Sequence, residues 1–241
     1  MHGERVQVGR VVDEAFKLYG QYAGPLLGSA AVVLGLVGLL NGLLATTGSL
    51  VWLFVGTVLS LIATTLYSGF VVKLVEDVRD GRRDFTVGDL FRAASAFVGA
   101  LIINSILWGL GVGLGLLLLI VPGLFLLTIW AVTAPAIVIE NRGPIEAFRR
   151  SAELVKGDGL AVFGTMLVAF LVTLGIGFII GGLGLALGDG GRIVLSAIGN
   201  IIAAPIFALV TAIVFFDLRG DPAGAAGEPE APGEGRESVP S

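Results

Sequence analysis

The sequence predicts an all-α, polytopic helical membrane protein: six transmembrane helices, about three cytoplasmic interfacial amphipathic helices, and a threefold internal repeat. Three observations lead there. Only 14% of the 241 residues are charged while 55% are hydrophobic, against roughly 25% charged in a soluble domain. The charge is missing from four long runs, residues 24–72, 93–139, 159–188 and 193–216. A crossing takes about 20 apolar residues, so the first two runs hold two crossings each and the last two hold one. Finally, all but one of the 15 Lys and Arg fall before the first span, between spans two and three, between four and five, or after the sixth. By the positive-inside rule this expects a multi-pass cell-membrane protein with both termini cytoplasmic.

Taken in order, a six-span membrane domain covers residues 1–218. Residues 5–21 form a first amphipathic helix, with Val8, Val12, Ala15, Phe16 and Tyr19 on its apolar face and Arg10, Asp13, Glu14 and Lys17 elsewhere. It is too charged to cross and is expected on the membrane surface. No signal peptide is read at the start, because Glu4, Asp13 and Glu14 interrupt it. Spans are expected at 25–44, 51–72, 97–120, 123–139, 160–187 and 193–216. Val121-Pro122-Gly123 reads as the turn between spans three and four, and Asp189-Gly190-Gly191-Arg192 as the turn between five and six. A charged segment with Arg79, Arg82 and Arg83 follows span two, and Thr86 with Asp89 offers a capping start to a second amphipathic helix. Pro144 suits the first position of a third. That helix would place Ile145, Phe148, Ala152 and Val155 on one face and pair Glu146 with Arg150 and Arg149 with Glu153 on the other. Residues 219–241, rich in Gly, Pro and Glu, are expected to be a disordered cytoplasmic tail.

The three charged helices share a pattern: Glu14-Ala15-Phe16-Lys17, Asp89-Leu90-Phe91-Arg92 and Glu146-Ala147-Phe148-Arg149. Each precedes a pair of spans, which suggests three units of surface helix and hairpin. Any amphipathic helix at an interface could produce the same pattern.

Several segments resemble the bacterial and archaeal membrane domain of glycerophosphoryl diester phosphodiesterase. They are residues 8–16, Ile120-Val121-Pro122-Gly123, and above all residues 134–140 leading into Gly143-Pro144-Ile145-Glu146-Ala147-Phe148-Arg149-Arg150-Ser151. The resemblance covers about residues 5–218 and implies a six-span fold. The barrel domain that would carry phosphodiesterase activity needs about 250 residues of its own, so the resemblance implies no enzymatic activity here.

Chemistry finds little to stand on. Cysteine is absent, the single histidine is His2, and neither a metal-ligand cluster nor a phosphate loop is present. No catalytic, cofactor-binding or metal-binding residue is expected, and no cofactor. Ser60, Thr64, Asn104 and Asn200 are the candidate intramembrane polar groups. They serve either interhelical hydrogen bonds or a polar cavity. Pro135 and Pro205 could kink spans four and six and free carbonyls. Glu140, Glu146, Arg149 and Arg150 form a candidate cytoplasmic docking or headgroup site, or a solvated set of mutual pairs. The glycine pairs 38/42, 109/113, 111/115 and 177/181 permit close helix approach, within the chain or between copies. Expected partners are the lipid bilayer and, through those Gly-rich faces, a protein partner or homo-oligomer, with no nucleic acid. The function read from these features is a non-enzymatic structural, lipid-interacting or partner-binding module. The alternative is a transporter or permease-like subunit for a small or lipid-like solute.

Overall fold

The computed structural model describes residues 6–81, 86–185 and 188–220. Arg82, Arg83 and the expected disordered tail from residue 221 onward lie outside the described residues. The described residues are helical throughout, with no strand, and six helical stretches are long and apolar enough to cross a membrane.

Helix α1, Val8–Gln21, leads into span one. That span is α2, Ala23–Ala30, a π-turn, Ala31–Gly35, and α3, Leu36–Ala45. The loop to α4, Leu50–Arg79, is closed by Thr46 and Thr47, whose hydroxyls donate to the Leu43 and Leu44 carbonyls at 2.7 Å. Helix α5, Val87–Ser95, starts at Thr86, whose Oγ1 accepts the Asp89 N–H at 3.2 Å. This satisfies one of the donors that every helix N-terminus leaves over.

Span three is α6, Val98–Leu118. The break before span four falls at Leu119, in extended conformation, and α7, Ile120–Ile129, already contains Val121, Pro122 and Gly123. The expected turn at 121–123 is therefore corrected. Pro122 lies in the first turn, where its missing N–H has no intrahelical partner to lose. The two helices close tightly at Gly115 and Gly123: a Cβ on Gly115 would stand 2.9 Å from the Gly123 Cα.

Span four is not one helix. It breaks at Trp130–Val132 and resumes as α8, Thr133–Glu140, with Pro135 in its first turn. Asn141 ends α8 at a left-handed φ of 52°, and α9, Pro144–Val155, follows with Pro144 at its first position. The last hairpin is α10, Gly159–Leu185, and α11, Gly188–Arg219. Gly190, Gly191 and Arg192 open α11 and are not a turn, so the expected 189–192 turn is also corrected.

Helix α11 is the centre of the molecule and packs on α1, α3, α4 and α10. Its last turns, from Leu209 to Phe215, are almost wholly buried.

The three charged helices bury the same position of their shared pattern. Ala15, Leu90 and Ala147, each directly after the acidic residue, are 3% exposed or less. The apolar faces differ from those expected. Helix α1 buries Val11, Ala15 and Leu18 and leaves Phe16 48% exposed. Helix α9 buries Ala147, Ser151, Leu154 and Val155 and turns Ile145 outward at 75% exposed. The buried faces mix small residues, Ala15, Ala147 and Ser151, with medium-sized ones, Val11, Leu18, Leu154 and Val155.

Candidate functional site

All six spans contribute to one partly enclosed cavity of about 350 Å³. Thr64 and Tyr67 of α4, Asn104 and Trp108 of α6, Trp130 at the break in span four, and Phe207 of α11 give its character. At 1.5 Å per residue, these residues lie roughly 10–20 Å from the ends of the spans that carry the charged helices.

Asn104 does most to build the charged-end wall. It is buried, its amide donates to the Pro144 carbonyl at 3.4 Å, and its carbonyl accepts from the Thr133 hydroxyl at 3.0 Å. One side chain thus ties α6 to the first turns of α8 and α9. Ser151 does the same for the break. Its hydroxyl donates to the Ile129 carbonyl at 2.8 Å and accepts the Val132 N–H at 3.2 Å. A broken helix exposes backbone groups that must be satisfied where there is no water, and Ser151 supplies both a donor and an acceptor. Phe148 then stacks edge-on against Trp130, with ring centroids 4.7 Å apart.

The four intramembrane candidates separate. Asn104 and Thr64 line the cavity, though the Thr64 hydroxyl donates to the Ser60 carbonyl of its own helix at 2.7 Å. Ser60 accepts from the Asn41 amide and does not line the cavity. Asn200 is exposed on the outside of α11. Asn104 and Thr64 thus stand at the cavity, and Asn104 and Ser60 make bonds between helices. Identity and depth alone do not say which way a helical residue faces.

The charged candidates are rearranged too. Arg150 clasps Glu140 with two bonds, Nε to Oε2 and Nη2 to Oε1, both at 2.7 Å, and does not pair with Glu146. Arg142 adds a contact to Glu140 at 3.4 Å. This planar, two-pronged geometry favours Glu140 over Glu146 as the partner of Arg150, and the bond to Glu140 holds the Arg150 guanidinium above its usual pKa. Arg149 and Glu153 pair at 3.4 Å on the exposed face, and Glu146 is exposed. Glu140 and Arg150 are thus joined directly, while Glu146 and Arg149 stand on the exposed face.

Sequence reading missed a second charge cluster. Asp217, 1% exposed, receives Arg10 and, at 3.4 Å, Arg79, which is 9% exposed. Arg79 also meets Glu14 at 2.9 Å, Arg10 meets Glu14 at 3.2 Å, and the Arg79 guanidinium lies 5.0 Å from the Phe216 ring centre. Among the described residues, two Arg and two acids thus join α1, α4 and α11. The signal available was Asp217 at the margin of an otherwise charge-free span.

Burial of an acid at a span's edge implies a partner, but not which of the chain's basic residues supplies it. Tyr19 adds a further tie, donating to the Ile202 carbonyl at 3.2 Å, close to Pro205 inside α11.

The glycine pairs divide as well. Gly35 and Gly42 lie against Ile201 and Ile193 of α11 with Gly38 over Ala197 between them, and Gly111 carries the Trp130 ring. A Cβ at Gly109, Gly113, Gly177 or Gly181 would meet nothing within 4 Å.

Three helical hairpins closing on an intramembrane cavity define a multi-pass helical membrane protein. Residues 49–210 match the uncharacterised protein family UPF0259, and the chain belongs to that family. A UPF0259 membrane protein of Pectobacterium carotovorum subsp. carotovorum (strain PC1) is 26% identical over 149 residues, 62% of this chain and 59% of that protein. The chain thus spans about three-fifths of that relative's length. No solved structure matches. These findings give no link to the glycerophosphoryl diester phosphodiesterase membrane domain, and UPF0259 replaces that resemblance.

Proposed function

We propose that this chain is a non-enzymatic membrane protein that holds a small lipid-like molecule between its three hairpins. The cavity of about 350 Å³, lined by residues from all six spans, carries this reading. Its volume falls at the low end of the roughly 300–1,000 Å³ typical of ligand sites. The Lys and Arg distribution supports placing the charged end and both termini in the cytoplasm. The exposed charged faces of α1, α5 and α9 then suit the headgroup region.

The test is chemical. The protein is purified in a mild detergent and its bound small molecules are extracted and quantified. The same is done for Ala204→Phe, which fills the cavity from α11. A molecule that co-purifies in fixed ratio and is lost from the filled variant supports the reading. Equal recovery from both sinks it.

One observation favours a second reading, a permease-like subunit that moves such a molecule. Span four breaks at the cavity wall, and discontinuous helices often form the binding sites of transporters. Flux of the extracted molecule in proteoliposomes separates moving from holding.

A further inference from the structure

We infer that the occupant of this cavity is an uncharged amphiphile, with one apolar chain or ring system and a neutral oxygen that accepts a hydrogen bond. This rests on the binding reading above and narrows its chemistry. The cavity lining contains no Asp, Glu, Lys, Arg or His. Among the described residues, charges at the charged end pair with one another: Arg10 and Arg79 with Glu14 and Asp217, Lys73 with Glu76, and Arg150 with Glu140. An ionised headgroup in the cavity would therefore have no counter-charge. An uncompensated charge away from water costs several kcal/mol, more than the hydrogen bonds available here can return.

The polar lining groups differ in which hydrogens are already engaged. The hydroxyls of Tyr67, Thr64, Thr133 and Thr211 already donate, to Leu26, Ser60, Asn104 and Phe207. The Asn104 amide donates to Pro144. Among the described residues, no hydrogen bond engages the indole N–H of Trp108 or Trp130, or the Ser68 hydroxyl. The Trp130 ring seats its benzo edge on Gly111, which turns its N–H edge away from α6. The unengaged donors are thus these two indole N–H groups and the Ser68 hydroxyl, which a ligand ester, ketone or hydroxyl oxygen would satisfy, while the lining hydroxyl oxygens can still accept from a ligand hydroxyl. Tyr67, Trp108, Trp130 and Phe207 supply flat apolar walls for the rest of it.

The protein carries its own reporters. Two of its three Trp line the cavity. The third, Trp52, is 48% exposed near the start of α4, at the opposite end from the charged helices. Three brominated single-chain probes share one tail and differ in headgroup: glycerol, sulfate and trimethylammonium. Each is titrated into bilayer nanodiscs holding Trp52→Phe, in which only the cavity Trp emit. A Trp108→Phe/Trp130→Phe variant, in which only Trp52 emits, calibrates how much of each probe enters the bilayer.

The expected result is saturable quenching of the cavity Trp by the glycerol probe. It should occur at a bilayer concentration at least about tenfold below that needed for either charged probe. An unbrominated copy of the glycerol probe should relieve it, and this control needs no cavity variant. Ala204→Phe should abolish it. Saturable, competable quenching by the sulfate or trimethylammonium probe at equal or lower concentration overturns the uncharged class while leaving the cavity reading intact. If all three probes quench the cavity Trp only in proportion to Trp52, without saturation, the cavity holds no such ligand and both readings fail.

Discussion

Helices α10 and α11 form one hairpin and are almost equally apolar, yet they live in different surroundings. In its most apolar window α11 is 67% buried within the protein, and α10 only 11%. Hydropathy decides that both enter a membrane. It does not decide which is covered by protein, because lipid tails are as apolar as a leucine side chain and offer no drive to bury one helix over another. Shape and charge make that choice. Helix α11 presents Ile193, Ala197 and Ile201 to the glycines of span one, admits Ile180 against Gly199, and ends in Asp217. Helix α10 has glycines at 175, 177, 181 and 182 that face open space.

Substitutions that act on α11 and spare α10 put this contrast to the test. The largest effect is expected at Asp217. Asp217→Leu removes the buried carboxylate that meets both Arg10 and Arg79 and should cost about 3–5 kcal/mol, read by denaturant unfolding in detergent micelles. Adding Arg79→Leu should recover part of that loss. Additive losses would mean that the two residues do not act as a pair.

Next comes Gly42→Ala. Its Cβ would overlap Cγ2 of Ile193, a branch close to the backbone that cannot swing away, so a loss of about 1–3 kcal/mol is expected. Gly181→Ala on α10 meets open space and should be neutral or gain about 0.5–1 kcal/mol from helix propensity. Equal losses at the two sites would erase the distinction between the helices.

Asn104→Leu and Asn200→Leu form a smaller pair. Each Asn lies in an apolar span, but only Asn104 bonds to neighbouring helices. A loss of about 0.6–2 kcal/mol is expected for Asn104 and none for Asn200, in the same unfolding assay. The smallest effect belongs to Glu140→Gln. The Glu140–Arg150 clasp is partly exposed, with the Arg150 side chain at 29%, so its removal should cost about 1 kcal/mol. That loss should shrink as salt is raised.

The charged helices show where sequence reading worked and where it stopped. The acid-x-Phe-base pattern located all three, and the same position is buried in each. The faces expected for α1 and α9 hold in part, with Ala15 and Val155 buried, and fail at Phe16 and Ile145, which turn outward. At a membrane boundary, large residues such as Ile145 and Phe16 can be covered by lipid. Ser151 was invisible for a related reason. Its role depends on the break in span four, and Pro135 hinted at a disturbance there without locating it at Trp130–Val132.

The sequence by itself determined that this chain enters a membrane, that it does so with six apolar segments, and that charged helices stand at one end. Those are properties of local composition, fixed by the cost of placing charge in hydrocarbon. Only the tertiary structure decided that α11 is central, that Asp217 joins Arg10, Arg79 and Glu14, and that Asn104 turns inward while Asn200 turns out. It also decided that Trp108 and Trp130 line one cavity. Each of these depends on which helix faces which, and among equally apolar helices that is settled by small residues, a few hydrogen bonds and buried charge.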